Sequence, residues 1–171
     1  METEDIIDVI RRWENLDLFK QHLIHHPDQL QLLFRVAFDD SNPVYWRAAY
    51  LIDQLSEQNP ALIRPYVPQL VKALSATSNT SKLRHYLKVV SQYPISEDSI
   101  DFLFGFCLDV FTKPSYPVAV RVHAMKILYH IAEMEPGLKP ELIQIIEYEL
   151  TLHPTAGLKS RGRHLLAKLR R

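Results

Sequence analysis

Four glycines and one cysteine in 171 residues leave several common chemistries without their material. The lone Cys107 excludes an internal disulfide and points to a reducing compartment, because small exported domains carry cysteines in even sets. No Gly-rich loop is present to cradle a phosphate, no HExxH to hold a metal, and no nucleophile–base pair stands at a telling spacing. Neither charge is in excess: 20 Lys+Arg face 20 Asp+Glu, so no global field marks a nucleic-acid binder. No run of about eighteen apolar residues occurs, which argues against a membrane span. The opening stretch METEDIIDVIRRWENLDLF is acidic where an export leader is basic. The expected location is therefore cytoplasmic. Asn79-Thr80-Ser81 matches a glycosylation sequon but reads more simply as a turn and helix cap.

What the chain does have is proline at regular stations. Its eleven prolines fall mostly where one helical pattern yields to the next, the punctuation of an all-α chain. Across Pro43–Gln58, Val44, Ala48, Leu51, Ile52 and Leu55 recur at helical spacing, with Asn42 as N-cap and Pro43 in the first turn. A second stripe follows in Leu62, Ile63, Tyr66, Val67, Leu70, Val71 and Leu74, with Pro65 confining regular helix to the residues beyond it. Two such helices joined at Asn59-Pro60 make a hairpin. The hairpin returns: Arg47, Arg84, Arg121 and Arg161 mark its first helix at separations of 37, 37 and 40. A period near 40 with two helices per unit predicts an all-α fold, an α-solenoid in one domain.

Pro43, Arg47, Ala48, Leu51 and Leu55, then Pro60, Leu70, Val71 and Leu74, and in the next clear copy Pro117, Val120, Arg121, Ala124 and Leu128, then Pro136, Leu142 and Ile146, resemble the HEAT repeat family. The resemblance implies a right-handed α-α superhelix of about four hairpins plus a terminal helix. Residues 1–41 form an atypical capping repeat, 42–79, 80–116 and 117–155 are repeats, and 156–171 form a capping helix. It also implies that Arg47, Arg84, Arg121 and Arg161 make structural polar contacts between neighbouring repeats. The family carries many unrelated activities, so architecture alone does not set function.

Other conspicuous residues have structural readings. Glu149 sits mid-arc between Leu142, Ile146 and Leu150, so burial requires a cation, most simply an arginine of the adjoining repeat. Cys107 lies on an apolar face, where a thiol acts as a small hydrophobe. His22 and His26 share a helical face beside His25 but have no third ligand nearby, so neither a metal nor any other cofactor is expected. His85, His123 and His164 make no constellation. The helix Ser99–Lys113 has an apolar arc wider than one interface needs. The expectation is that this arc is buried against neighbouring helices; were it exposed, Phe102 and Phe106 would anchor a partner helix.

Function follows from surfaces. The leading expectation is a non-enzymatic interaction module whose second helices present Arg64, Gln69, Lys72, Asp101, Asp109, Gln144 and Glu147 to an unidentified protein or peptide. The chain itself is expected to be monomeric or weakly self-associating. Residues 1–41 hold nine acids against four bases, whereas 156–171 hold six bases and no acid. Lys159, Arg161 and Arg163 are thus a candidate basic end for an acidic partner. The alternative is a nucleic-acid role, since some HEAT-like proteins of similar shape are alkylated-base DNA glycosylases. It requires Trp46, an acid and several arginines to converge in a cleft. An enzyme that uses the hairpins as a pocket wall has no positive feature in its favour.

Overall fold

A computed structural model describes all residues 1–171: 80% of them are helical and no strand is present. No helix is long and apolar enough to cross a membrane. The chain forms two compact units, Met1–Val89 and Val90–Arg171, and the division falls inside the third expected repeat, 80–116.

In the first unit, α1 (Thr3–Arg12) opens on a capping box in which the Glu2 amide donates to Asp5 at 2.7 Å. It ends where Trp13 and Asn15 both turn left-handed, at φ 57 and 53. The turn delivers α2 (Leu16–His25), and a 3₁₀ turn at Pro27–Gln29 leads to α3 (Leu30–Phe38). The helix expected from Pro43 begins as a 3₁₀ turn over Pro43–Tyr45 before α4 (Trp46–Gln58). The Asn42 side chain accepts from the Val44 amide and the Asn42 carbonyl from Tyr45, both at 3.0 Å, which tightens that turn. Pro65 interrupts the helix but, against expectation, does not confine it to the residues beyond: a short α5 (Pro60–Ile63) precedes a 3₁₀ segment, Arg64–Tyr66, and regular helix resumes in α6 (Val67–Ala73). Then α7 (Thr80–Val90) starts behind Asn79, whose side chain accepts from the Ser81 and Lys82 amides. Ile6, Ile10, Leu33, Leu51, Ile52, Leu55 and Leu70 are fully buried, each stabilising the fold by about 1.5–3 kcal/mol.

The second unit holds a 3₁₀ turn at Glu97–Ser99, α8 (Ile100–Thr112), α9 (Val118–Met134), α10 (Lys139–Leu152) and α11 (Ala156–Leu169). α9 packs against α8, α10 and α11 and buries Val120, Ala124, Ile127, Leu128 and Ile131. Pro136 stops it, and Pro140 is tolerated in the first turn of α10, where an amide would be unpaired in any case.

Basic side chains reach the C-terminal ends of other helices: from α4 to α1, from α7 to the end of α3, and from α9 to α8. Arg47 donates to the Ile10 and Arg11 carbonyls at 3.0 and 3.3 Å, Lys82 to the Asp39 carbonyl at 2.5 Å, and Arg121 Nε to the Phe111 carbonyl at 2.8 Å. Each supplies a donor and a positive charge to carbonyls left over at the negative pole of a helix. The base that does this in α7 is Lys82, fully buried, and not Arg84, which is exposed and meets only His85 Nε2 at 3.1 Å. Arg161 is exposed as well. Lys82 and Arg84 stand two residues apart on α7 and so about 200° apart around its axis; only one of them can face the end of α3, and that one is Lys82. Glu149 is buried and paired with Arg121 at 2.7 Å. That partner lies in its own hairpin, α9–α10, rather than in an adjoining repeat as expected, and it is the ε nitrogen of Arg121 that reaches the preceding helix. Burial pushes the Cys107 thiol far above its ordinary pKa, so it is an inert part of the core.

Candidate functional site

The residues expected on one partner-binding face belong to both units: Arg64, Gln69 and Lys72 to the first, and Asp101, Phe102, Phe106, Asp109, Gln144 and Glu147 to the second. Phe102 is 39% exposed and stacks on half-buried Phe106 at 5.7 Å, so this side of α8 is not the core face that its wide arc suggested. Asp109 is paired with Lys113 at 2.7 Å, and Glu147 with Arg170. Gln144 is exposed on α10, Arg64 is exposed in its 3₁₀ segment, and Asp101 lies in a groove of the second unit with Phe104 and Met134. The rings of His22 and His26 lie 4.4 Å apart, tilted by 37°, and His22 Nε2 lies 2.8 Å from the Gln29 side-chain oxygen. No group of three side chains suited to a metal ion is present.

Two of the expected residues do meet. Gln69 and Lys72 line one cavity of about 350 Å³ in the first unit, with Phe38 from α3, Ala73 from α6, Ala76 and Thr77 from the turn beyond it, and Tyr86 from α7. The local sequence explains the opening. Gln69, Lys72, Ala73 and Ala76 stand at i, i+3, i+4 and i+7, one helical face, opposite the buried Leu70 and Leu74. Alanines on that face leave space between α6 and the aromatic wall, where Phe38 and Tyr86 meet edge to face at 6.0 Å.

The wall is rigid. Tyr86, 1% exposed, donates its hydroxyl to the Ala37 carbonyl at 2.6 Å, and burial raises the pKa of that hydroxyl well above the ordinary range, so it stays neutral. At the rim, Asp40 accepts from Thr77 at 2.8 Å and from Lys82 at 2.7 Å. Burial works to raise the Asp40 pKa, but these bonds and the Lys82 charge hold it below the usual carboxylate value. With Asp40 thus engaged, Lys72 is exposed at the mouth. The result is an apolar recess with one cation at its entrance. Phe38, Ala73, Ala76, Thr77 and Tyr86 were not singled out by sequence reasoning. The one signal available was the pair of alanines on the polar face of QLVKALSA.

A second constellation surrounds Trp46. Its ring stacks on His85 at 6.3 Å and lies 6.2 Å from Trp13; Tyr50 is 5.5 Å from Trp13. His85 Nδ1 is 2.8 Å from Asp53, and Lys88 Nζ reaches both Asp53 oxygens at 2.9 and 3.0 Å. Burial pushes the Asp53 carboxyl up, and His85 and Lys88 together bring it below the usual carboxylate range. Trp46, Asp53 and Arg84 each meet His85, yet the carboxylate is 1% exposed and already held by two bases. Arg47 is turned away onto the α1 carbonyls and the Trp13 ring, 4.9 Å distant. This is a closed, ion-paired network without an open acid, in which Asp53 Oδ1 has the Lys88 charge beside it but no hydrogen bond. Of the candidate basic end, Arg161 and Arg163 are exposed and Lys159 is half-buried.

The sequence model of one protein family, the HEAT repeat domain, matches residues 10–169. No curated protein and no solved structure matches the chain.

Proposed function

Since the chain belongs to the HEAT repeat domain family, whose domains are of a protein-interaction scaffold type, we propose that it is a non-enzymatic interaction module. In this reading a partner inserts one apolar side chain between Phe38 and Tyr86 and sets a carboxylate against Lys72. The reading keeps a right-handed solenoid of about four hairpins with a terminal helix, and a cytoplasmic location. The observation that carries it is the recess itself. It is preformed, of the size that takes small apolar groups, and offers one polar contact for orientation.

Magnitudes set what the recess can do. One buried Leu or Phe side chain contributes about 1.5–3 kcal/mol, and a rim ion pair at Lys72 adds about 1 kcal/mol or less. Their sum, about 1.5–4 kcal/mol, at most reaches the roughly 4 kcal/mol that corresponds to a millimolar complex. The recess therefore acts as an anchor within a longer contact, to which Gln69 adds a hydrogen-bonding side chain.

Selection of a random peptide library on the wild-type chain tests this, with Ala73→Phe, which fills the recess, and Lys72→Glu as counter-probes. Selected peptides should share an apolar residue near an acid, lose binding to Ala73→Phe and weaken on Lys72→Glu. Peptides that bind Ala73→Phe as well as wild type would refute the reading.

A further inference from the structure

We propose that the second unit carries a separate binding groove for an acidic peptide segment of a partner protein, between the N-terminal parts of α9 and α11. The groove encloses about 720 Å³. Val118, Ala119 and Val122 supply an apolar floor, and His123, Arg161 and His164 stand around it. The site is distinct from the Phe38–Tyr86 recess and does not depend on it.

Charge is the first argument. Residues 156–171 carry six bases and no acid, but the six are not equivalent. Arg170 is bonded to Glu147, and Lys168 lies over the Tyr129 ring at 5.8 Å. Those two cations are engaged within the fold. Arg161 is exposed with no carboxylate in ion-pair range, and it lines the groove together with two histidines. A planar fork of donors next to apolar surface suits a carboxylate, which it binds through two parallel hydrogen bonds.

Shape is the second argument. A Cβ on Gly157 would lie 3.0 Å from Val118 Cγ1, so the missing side chain is what lets the first turn of α11 close on α9. The floor is correspondingly narrow and fits a small aliphatic residue next to the acid. It also lowers the local dielectric around Arg161, which strengthens an ion pair there relative to one on open surface.

These features choose among anions. Nucleic acid binds through several phosphates along a track of cations, whereas one permanent cation, Arg161, lines this groove, and the valine floor offers a sugar–phosphate backbone nothing. The acid-rich stretch of a second copy is a weaker fit: its helix α1 has already buried Ile6 and Ile10, Asp5 is taken up in the cap, and Asp8 pairs with Arg12. An extended segment with a free acid beside a small apolar residue satisfies both the charge and the floor.

The test is an NMR titration of the full chain with a short synthetic peptide of aspartate and glutamate around one valine. Amide shifts should concentrate on residues 118–123 and 157–164. Arg161→Glu should weaken binding by about tenfold or more, while Arg163→Glu, the same change in net charge outside the groove, should change it by about twofold at most. Both residues are exposed, and circular dichroism checks that both variants fold. Equal losses in the two variants would overturn the proposal in favour of diffuse attraction. Tighter binding of an oligothymidylate of equal charge would overturn it in favour of nucleic acid. Self-association of the protein alone, salt-sensitive and abolished by Arg161→Glu in sedimentation, would assign the groove to a second copy of this chain.

Discussion

The Arg121–Glu149 pair offers the sharpest test of how the second unit is held together, because its two halves are predicted to fail differently. Both side chains are almost completely buried, and removing one partner of such a pair typically costs 3–5 kcal/mol, since the other is left as an uncompensated charge. Glu149→Leu strands a guanidinium that cannot shed its proton, so the full cost, about 3–5 kcal/mol, should persist across pH. Arg121→Met strands a carboxylate, which has an escape by taking up a proton. For a side chain of glutamate's ordinary acidity that costs about 3.7 kcal/mol at pH 7 and about 1 kcal/mol at pH 5. The stranded carboxylate therefore stays bearable at low pH and becomes costly as pH rises. Arg121→Met also leaves the Phe111 carbonyl without its donor, a further 1–3 kcal/mol at any pH. The double variant should regain most of the ionic loss and retain only that last term. Urea unfolding followed by circular dichroism at pH 5 and pH 7 measures all four proteins. A shift in midpoint at constant slope corresponds to roughly 10 °C or more in Tm for the single variants. Single-variant losses under about 1 kcal/mol would refute the reasoning, as would an Arg121→Met penalty that does not shrink at pH 5.

Two further perturbations address the first unit, where both tryptophans, Trp13 and Trp46, serve as its fluorescence reporters. Asp53 has its carboxyl held below the usual range by His85 and Lys88 against the pull of burial, so it contributes stability above its unfolded pKa, about 3.9, and that stability is lost as pH falls through the lower folded value. Fluorescence-detected urea midpoints should drop between pH 5 and pH 3 in wild type and drop less in Asp53→Asn; identical acid profiles would show that another group is responsible. Lys82→Met removes the donor to the Asp39 carbonyl and the cation beside Asp40 and should cost about 2–3 kcal/mol, whereas Arg84→Met should cost about 1 kcal/mol or less. The reverse order of losses in the same assay would restore Arg84 as the base that ties α7 to the end of α3.

Helix positions were legible because their determinants are local. Asn42 and Pro43, Pro60, Pro65, Pro117 and Pro136 act on their own few residues, so the breaks they cause could be named without any tertiary knowledge. The start at Pro43 is a 3₁₀ turn and differs only in hydrogen-bond period, and the helix expected only beyond Pro65 already has a first turn at Pro60–Ile63. Fixed spacing was a poorer guide to side-chain roles. Counting 37 from Arg47 selects Arg84, but a side chain's direction depends on how its own helix is rotated against its neighbours. At 3.6 residues per turn a two-residue offset rotates it by about 200°, enough to turn a buried tie into a solvated cation.

The recess illustrates why half of a site can be read and half cannot. Gln69 and Lys72 stand on one face of α6, so periodicity alone groups them. Phe38 and Tyr86 lie 34 residues before and 14 after Lys72, on helices whose relative rotation is set by packing, and nothing in a linear pattern says that their rings meet. The clue present in the sequence was negative: Ala73 and Ala76 on the face where the polar residues recur. Small side chains on an exposed helical face are usually unremarkable, since alanine is the best helix former. They become a feature only when large rings from other helices wall the space they leave. Phe102 makes the converse point, because a helix apolar nearly all round tells how much surface needs covering but not which part the fold leaves open. A binding surface on stacked helical hairpins is therefore a property of the gaps between neighbouring helices, and the residues to mutate first are those that border such a gap from two helices at once.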